Sequence, residues 1–185
     1  LFRSGHDLVL VARDVERLER LAAELHDEVG ADVEVLPADL ALEADRAKVA
    51  DRLAAGVQIL VNNAGVAHAA PIESFPVDEF DRLVAVNVRG VFAAVRAAVA
   101  HLGADGRIIT IGSVNADRVP VPGISIYSMT KAAIAGLTRG LARELGARGI
   151  TVNNVQPGPT ATDMNPDDGG EFANQMRSLT AVGRY

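Results

Sequence analysis

The sequence predicts a three-layer α/β fold, a doubly wound parallel sheet with helices on both faces. Three observations carry that prediction. Short apolar runs alternate with segments of helical periodicity from one end of the chain to the other. Those runs are apolar at successive positions, as strands buried on both faces require, rather than at every second one. Polar or glycine residues then follow each run at its carboxyl end.

The elements follow in order. Leu8–Ala12 (LVLVA) reads as a strand, and Asp14 is placed to cap the helix after it. That helix, Val15–Val29, carries Leu18, Leu21, Ala22 and Leu25 on one face. Residues 33–36 form the next strand, Glu43–Ala54 a charged helix, and residues 58–61 a buried strand running into Asn62-Asn63-Ala64-Gly65. After a proline-containing loop, Asp78 is placed to cap a long helix over residues 78–101. Arg107–Ile111 is a strand, Ser125–Leu145 a second long helix, and Thr151–Val155 a further strand. Residues 163–185, with Asp167-Asp168-Gly169-Gly170, read as a mobile lid. Strands and helices alternating in this way make a Rossmann-type sheet, which takes ligands outside the carboxyl ends of its strands.

Composition narrows the function classes. At 185 residues the chain suits one domain with a real core. A net charge of −6 and the lack of any basic run argue against a nucleic-acid partner. Without cysteine there is no disulfide, thiol nucleophile or cysteine metal site, and the four histidines are scattered without ligand spacing, so no metal is expected. Arg96 interrupts the longest apolar stretch, well short of the roughly 20 residues of a spanning helix. No signal peptide is visible, and the expectation is a soluble, cytoplasmic protein with no membrane partner.

Tyr127 and Lys131 stand out because the chain has only two tyrosines and two lysines, with arginine as its usual cation. Four residues apart on a predicted helix, the two side chains share a face. An ammonium group nearby favours the phenolate and draws a tyrosine down from its ordinary pKa of about 10. A tyrosine so tuned serves as a proton donor and acceptor near neutrality. Taken alone, the pair fits a solvent-facing Tyr and Lys on an amphipathic helix equally well.

The strand ends add context. Arg13 and Asp14 follow the first strand, Asp39 the second, Asn62–Gly65 the third, Ser113 the fourth, and Pro157-Gly158 the fifth. Together they outline an extended ligand lying across one edge of the sheet. At Gly65 the missing Cβ lets backbone approach that ligand closely.

NNAG at 62–65, Asn87 in LVAVNVRGVF, Ser113 in IITIGSVN, YSMTK at 127–131 and PGPTATDM at 157–164 resemble the short-chain dehydrogenase/reductase (SDR) family, in family order over essentially the whole chain. The resemblance implies an oxidoreductase moving hydride between a nicotinamide cofactor and a small-molecule alcohol or carbonyl. It implies Tyr127 as the acid/base, and Lys131 as its pKa-lowering partner that also holds the nicotinamide ribose. Ser113 would bond the substrate oxygen, and Asn87 would hold a water linking Lys131 to a proton relay. The separation of Ser113 and Tyr127 is slightly longer than is usual in the family. Asp39 and Leu40 would position the adenine, and Asn63, Ala64 and Gly65 would flank the adenosine ribose. Pro157, Gly158, Thr160 and Thr162 resemble the segment that orients the nicotinamide carboxamide.

The first strand ends VLVARD, with Ala12 where family members that prefer NADH place an acid. Arg13 follows and suits a 2′-phosphate, so NADP(H) is expected over NAD(H). A homodimer or homotetramer is expected, through the Ala-rich faces of the two long helices. Residues 1–185 are expected to be one NAD(P)-binding domain, with the family's first strand and glycine-rich turn belonging ahead of Leu1 and further segments beyond Tyr185. Leu1–Gly5 then matches the tail of a preceding helix with Gly5 as its C-cap. A second reading stays open on the stretches IGSVNADRVPVPG and VQPGPTATDMNP. They resemble a subgroup that includes proteins described as cyclic-di-GMP-binding, which implies a nucleotide-sensing regulator on the same scaffold.

Overall fold

The structure is a computed structural model that describes residues 5–30 and 32–185. Five parallel strands and six α-helices alternate along them: β1 (Leu8–Ala12), α1 (Val15–Val29), β2 (Val33–Pro37), α2 (Glu43–Ala54), β3 (Ile59–Asn62), α3 (Val77–Val84), α4 (Val91–Val99), β4 (Arg107–Ile111), α5 (Ser125–Leu145), β5 (Thr151–Val155) and α6 (Glu171–Ser178). The fold is Rossmann-like, with helices on both sides of parallel strands.

Local chemistry explains the boundaries. The Asp14 carboxylate accepts from the Arg17 amide at 3.0 Å and caps α1, which Gly30 ends in the left-handed conformation at φ 67°. Gly5 is also left-handed, at φ 77°; the rest of the expected preceding helix lies outside the described residues. The core forms where Val91, Val95 and Ala98 of α4 and Ile134 and Leu145 of α5 close over Ile108 of β4 and Val152 of β5. Ile108 and Ala98 are fully buried.

Two expectations are corrected. The helix over residues 78–101 is broken: α3 starts at Val77 behind Pro76, and a wide π turn over Ala85–Gly90 separates it from α4. Asp78 sits in the first turn of α3 rather than at its cap, where its charge still suits the positive end of the helix dipole. Gly90, inside the wide turn, brings the helix against Leu40; a Cβ there would stand 3.3 Å from the Leu40 Cβ. Second, residues 163–185 are not all loop, because Glu171–Ser178 forms α6, with Ala173 and Met176 buried. The strands form two sheets: among the described residues β1 pairs only with β2, while β3, β4 and β5 form the second.

Between the two sheets lies a slot of about 1490 Å³, walled by β1 and β3 along their length. Its lining includes Leu8, Val9, Leu10 and Val11 on one side and Ile59, Leu60 and Val61 on the other. Among the described residues the facing edges of β1 and β3 have no strand partner, so apolar side chains and unpaired backbone groups open into the same space. Each large apolar residue left uncovered forgoes about 1.5–3 kcal/mol. The 185 residues made alone should therefore bind a hydrophobic dye and lose structure over a broad temperature range. A sharp melting transition without dye binding would contradict that.

Candidate functional site

The carboxyl ends of β3, β4 and β5 and the first turns of α5 converge on one edge, and hydrogen bonds past the strand ends fix them there. The β4–β5 ladder continues beyond both strands: Gly112 N–H donates to Val155 O at 2.7 Å, and Val114 N–H to Pro157 O at 3.1 Å. Ser113 is thus held on either side by bonds to the same neighbouring segment. It is buried, extended at φ −168° and ψ 150°, and its hydroxyl accepts from Asn115 N–H at 3.1 Å.

The long helix α5 brings Tyr127 and Lys131 to this edge. The Ser113 hydroxyl is a neighbour of the Tyr127 phenol and favours its charged form. The Lys131 Nζ donates to Ile111 O at 2.9 Å and lies 5.7 Å from the centre of the Tyr127 ring. Here the expectation of a lowered tyrosine pKa meets a different balance. Burial pushes the Tyr127 phenol above its ordinary 10.0, and the neighbouring Ser113 hydroxyl only partly offsets it. Burial also pulls the Lys131 ammonium below its ordinary 10.5. The ammonium is tied to a backbone carbonyl rather than to the phenol oxygen, so the phenol stays protonated at neutral pH.

Asn87 occupies the wide turn, 2 % exposed. Its Oδ1 accepts from Val66 N–H at 2.9 Å, and its Nδ2 donates to Val66 O at 2.8 Å and to Thr130 Oγ1 at 3.1 Å. Thr130 in turn donates to Tyr127 O at 2.7 Å. The Asn87 amide therefore clamps the loop after β3 to α5, and both of its ends are engaged. Such wide turns recur at functional sites because they aim a side chain sideways out of the helix register.

Gly65 joins this centre to the slot. It lines the slot, and a Cβ placed on it would stand 3.6 Å from both Asn87 Oδ1 and Lys131 Nζ. Arg13, Asp39, Leu40, Asn63 and Ala64 line the slot as well, so the expected adenosine-side residues share one wall system. Among the described residues, Arg13 is exposed and has no hydrogen-bonding or ionic partner. The turn at Asp39 is rigid: Ala41 N–H donates to the Asp39 carboxylate at 2.9 Å, and Arg46 reaches Leu40 O and Ala41 O at 2.8 and 2.7 Å. These features fit a dinucleotide, with a cradle that only glycine leaves open and polar groups spaced along it.

Pro157, Gly158, Thr160 and Thr162 stand apart from the slot walls. Thr160 Oγ1 donates to Gly158 O at 3.1 Å, Asn165 Nδ2 donates to Thr160 O at 3.3 Å, and Thr162 pairs with Asn165. The segment is a compact knot held to β4 through Pro157 O. Two polar residues absent from the sequence expectation, Thr110 and Asn154, also belong to this edge. Asn62, Thr110 and Asn154 lie in register across β3, β4 and β5, with Asn62 Nδ2 donating to Thr110 Oγ1 at 3.2 Å. The doublets Asn62-Asn63 and Asn153-Asn154 at strand ends were the available signal.

Comparison with known proteins agrees with this geometry. The family described as short chain dehydrogenase matches residues 1–170. The cyclic-di-GMP-binding biofilm dispersal mediator protein of Escherichia coli K12 is 42% identical over 144 residues, covering 77% of this chain and 60% of that protein. Gluconate 5-dehydrogenase of Gluconobacter oxydans is 34% identical over 199 residues, covering 100% of this chain and 74% of the relative. Among solved structures, a short chain dehydrogenase from Burkholderia cenocepacia in complex with NADP superposes with a TM-score of 0.94 at 42% identity, over 100% of this chain and 76% of that one. A Serratia marcescens short-chain dehydrogenase/reductase does so with a TM-score of 0.94 at 46% identity, with the same coverage.

The tyrosine balance is directly measurable. The difference in absorbance titration between the full-length protein and its Tyr127→Phe variant isolates Tyr127, and its midpoint should lie above about 10. Removing the Ser113 hydroxyl should raise it further. A folded-state value raised by burial adds stability that is full below the ordinary value and fades as pH rises through the folded one. A midpoint at or below 10 would contradict the burial account. By its sequence and its fold, the chain belongs to the short-chain dehydrogenase family.

Proposed function

We propose that the full-length protein transfers hydride between NADP(H) and a small-molecule alcohol/carbonyl pair. The observation that carries this reading is the convergence of Ser113, Tyr127 and Lys131 on one sheet edge beside the open space at Gly65. The nicotinamide cofactor supplies or accepts the hydride when bound. Everything else is the work of the chain. Tyr127 Oη, kept protonated by burial, donates its proton to the substrate oxygen in the direction of reduction and recovers it in oxidation. The Ser113 hydroxyl holds the same oxygen and meets the charge that develops on it. Lys131 places a cation under the phenol and, through the resemblance, holds the ribose. Asn87 keeps Val66 and α5 in register, which makes it a positioning residue.

Preference for NADP(H) rests on Arg13, exposed and unpartnered at the exit of β1, and on Ala12 in place of an acid. A homodimer or homotetramer would use the outer face of α5, where Met129, Ala132, Ala133 and Gly136 are exposed, together with exposed Phe92 of α4. Light scattering that shows a monomer at micromolar concentration would remove that assembly. A nucleotide-sensing regulator is the second reading, favoured by the 42% identity to the Escherichia coli mediator protein.

Tyr127→Phe in the full-length protein should abolish carbonyl reduction and leave NADPH affinity nearly unchanged, since packing survives and the transferable proton does not. Turnover above a few per cent would remove Tyr127 from the role. No turnover by the unmodified protein on any carbonyl, with tight cyclic dinucleotide binding, would favour the regulator. Ala12→Asp with Arg13→Ala should move the kcat/KM ratio of the two coenzymes towards NADH by about 1–3 kcal/mol, roughly what charge-assisted bonds contribute. An unchanged ratio would place the determinant elsewhere.

A further inference from the structure

Gly112, immediately before Ser113, is buried at the end of β4. Any side chain there would collide with Asn154 of β5: a Cβ would overlap its Oδ1 and fall 2.9 Å from Nδ2 and 3.0 Å from Cγ. Asn154 therefore leans along β4 from its register partner Thr110 to the glycine beside Ser113. Its Oδ1 is fully buried and has no hydrogen-bond partner among the described residues. An unpaired buried acceptor costs stability, and an asparagine inside a parallel strand is a poor choice for the fold. Glycine before a reactive residue, with nothing filling its side, would leave that residue free to turn.

We infer that Asn154 is a positioning residue for Ser113, supplying from β5 the side chain that Gly112 lacks on β4. The inference rests on the proposed role of Ser113. The backbone bonds from Gly112 to Val155 and from Val114 to Pro157 fix the height of Ser113 along the sheet. The Asn154 carboxamide limits its rotation, by filling the side of Gly112 where a Cβ would otherwise stand. The two residues form a complementary large–small pair, and each is tolerable only with the other.

The test is a double-mutant cycle in the full-length protein, reading kcat, KM, NADPH affinity and melting temperature for Asn154→Ala, Gly112→Ala and the pair together, with Tyr127→Phe as reference. Asn154→Ala should lower kcat about ten-fold or more, since misplacement by an ångström can cost about a hundred-fold. NADPH affinity should hold, and melting temperature should hold or rise, because the unpaired acceptor is gone. A residue that served the fold alone would do the reverse. Gly112→Ala should also lose kcat, and the double variant should recover most of what either single variant loses, because the new methyl occupies the vacated space. If Gly112→Ala does not fold, recovery of folding in the double variant reports the same coupling. Full kcat in Asn154→Ala, or a double variant no better than Gly112→Ala, overturns the inference. Should Tyr127→Phe retain turnover, the reading of the whole site fails instead; should it be inactive while Asn154→Ala is unimpaired, only the positioning role fails.

Discussion

The bond from Lys131 Nζ to Ile111 O, 2.9 Å long, is the constraint on which the site depends. It pins the first turns of α5 to the last residue of β4, and thereby sets the distance between Tyr127 on the helix and Ser113 past the strand. A lysine ammonium in so buried a place is costly, as the downward pull on its pKa records. Its partner is the backbone carbonyl of the last residue of β4. Helix and sheet would still pack through Ile134, Ile108 and Val152 without that bond. The register between phenol and serine would then depend on apolar contact alone, which resists sliding less well than a directional bond.

Around that bond the chain departs from regular structure wherever chemistry needs it. The wide turn at Ala85–Gly90 gives up ideal α geometry so that one amide, on Asn87, can hold Val66 and Thr130 together. Gly65 gives up a side chain so that the space beside Lys131 stays open. The polar row of Asn62, Thr110 and Asn154 crosses a sheet whose other inward positions are apolar. Each departure lowers local stability, and each lies within one layer of the Ser113–Tyr127 pair. Strain and polarity concentrated at one edge of a well-packed core are what a reactive site on a rigid scaffold requires.

Much of this was legible in the sequence, for identifiable reasons. α1, α2, α5, β1, β4 and β5 have the expected boundaries, because apolar periodicity and the Asp14 cap are local signals. Tyr127 and Lys131 were visible as rare residue types four apart on a helix, and Ser113 and Asn87 through the family motifs around them; the structure brings them to one edge. The wide turn was not legible, since AVNVRG has the composition of ordinary helix and only the tertiary clamp on Val66 widens it. Nor was α6, whose polar sequence hides the two buried positions that hold it. The raised tyrosine pKa escaped too, because spacing on a helix places Lys131 near Tyr127 without saying which oxygen the ammonium binds.

The central claim is that this edge of the sheet moves hydride to or from a carbonyl carbon, with Tyr127 handling the proton. The most direct measurement is isotopic. The full-length protein would be incubated with a panel of aldehydes and ketones and NADPH carrying deuterium at the reactive carbon of its nicotinamide, and the alcohols analysed by mass spectrometry and NMR. The account predicts one deuterium on the carbinol carbon of at least one product, with the hydroxyl proton drawn from solvent. Product without deuterium at that carbon, or no product from any carbonyl despite saturating NADPH binding, would contradict it.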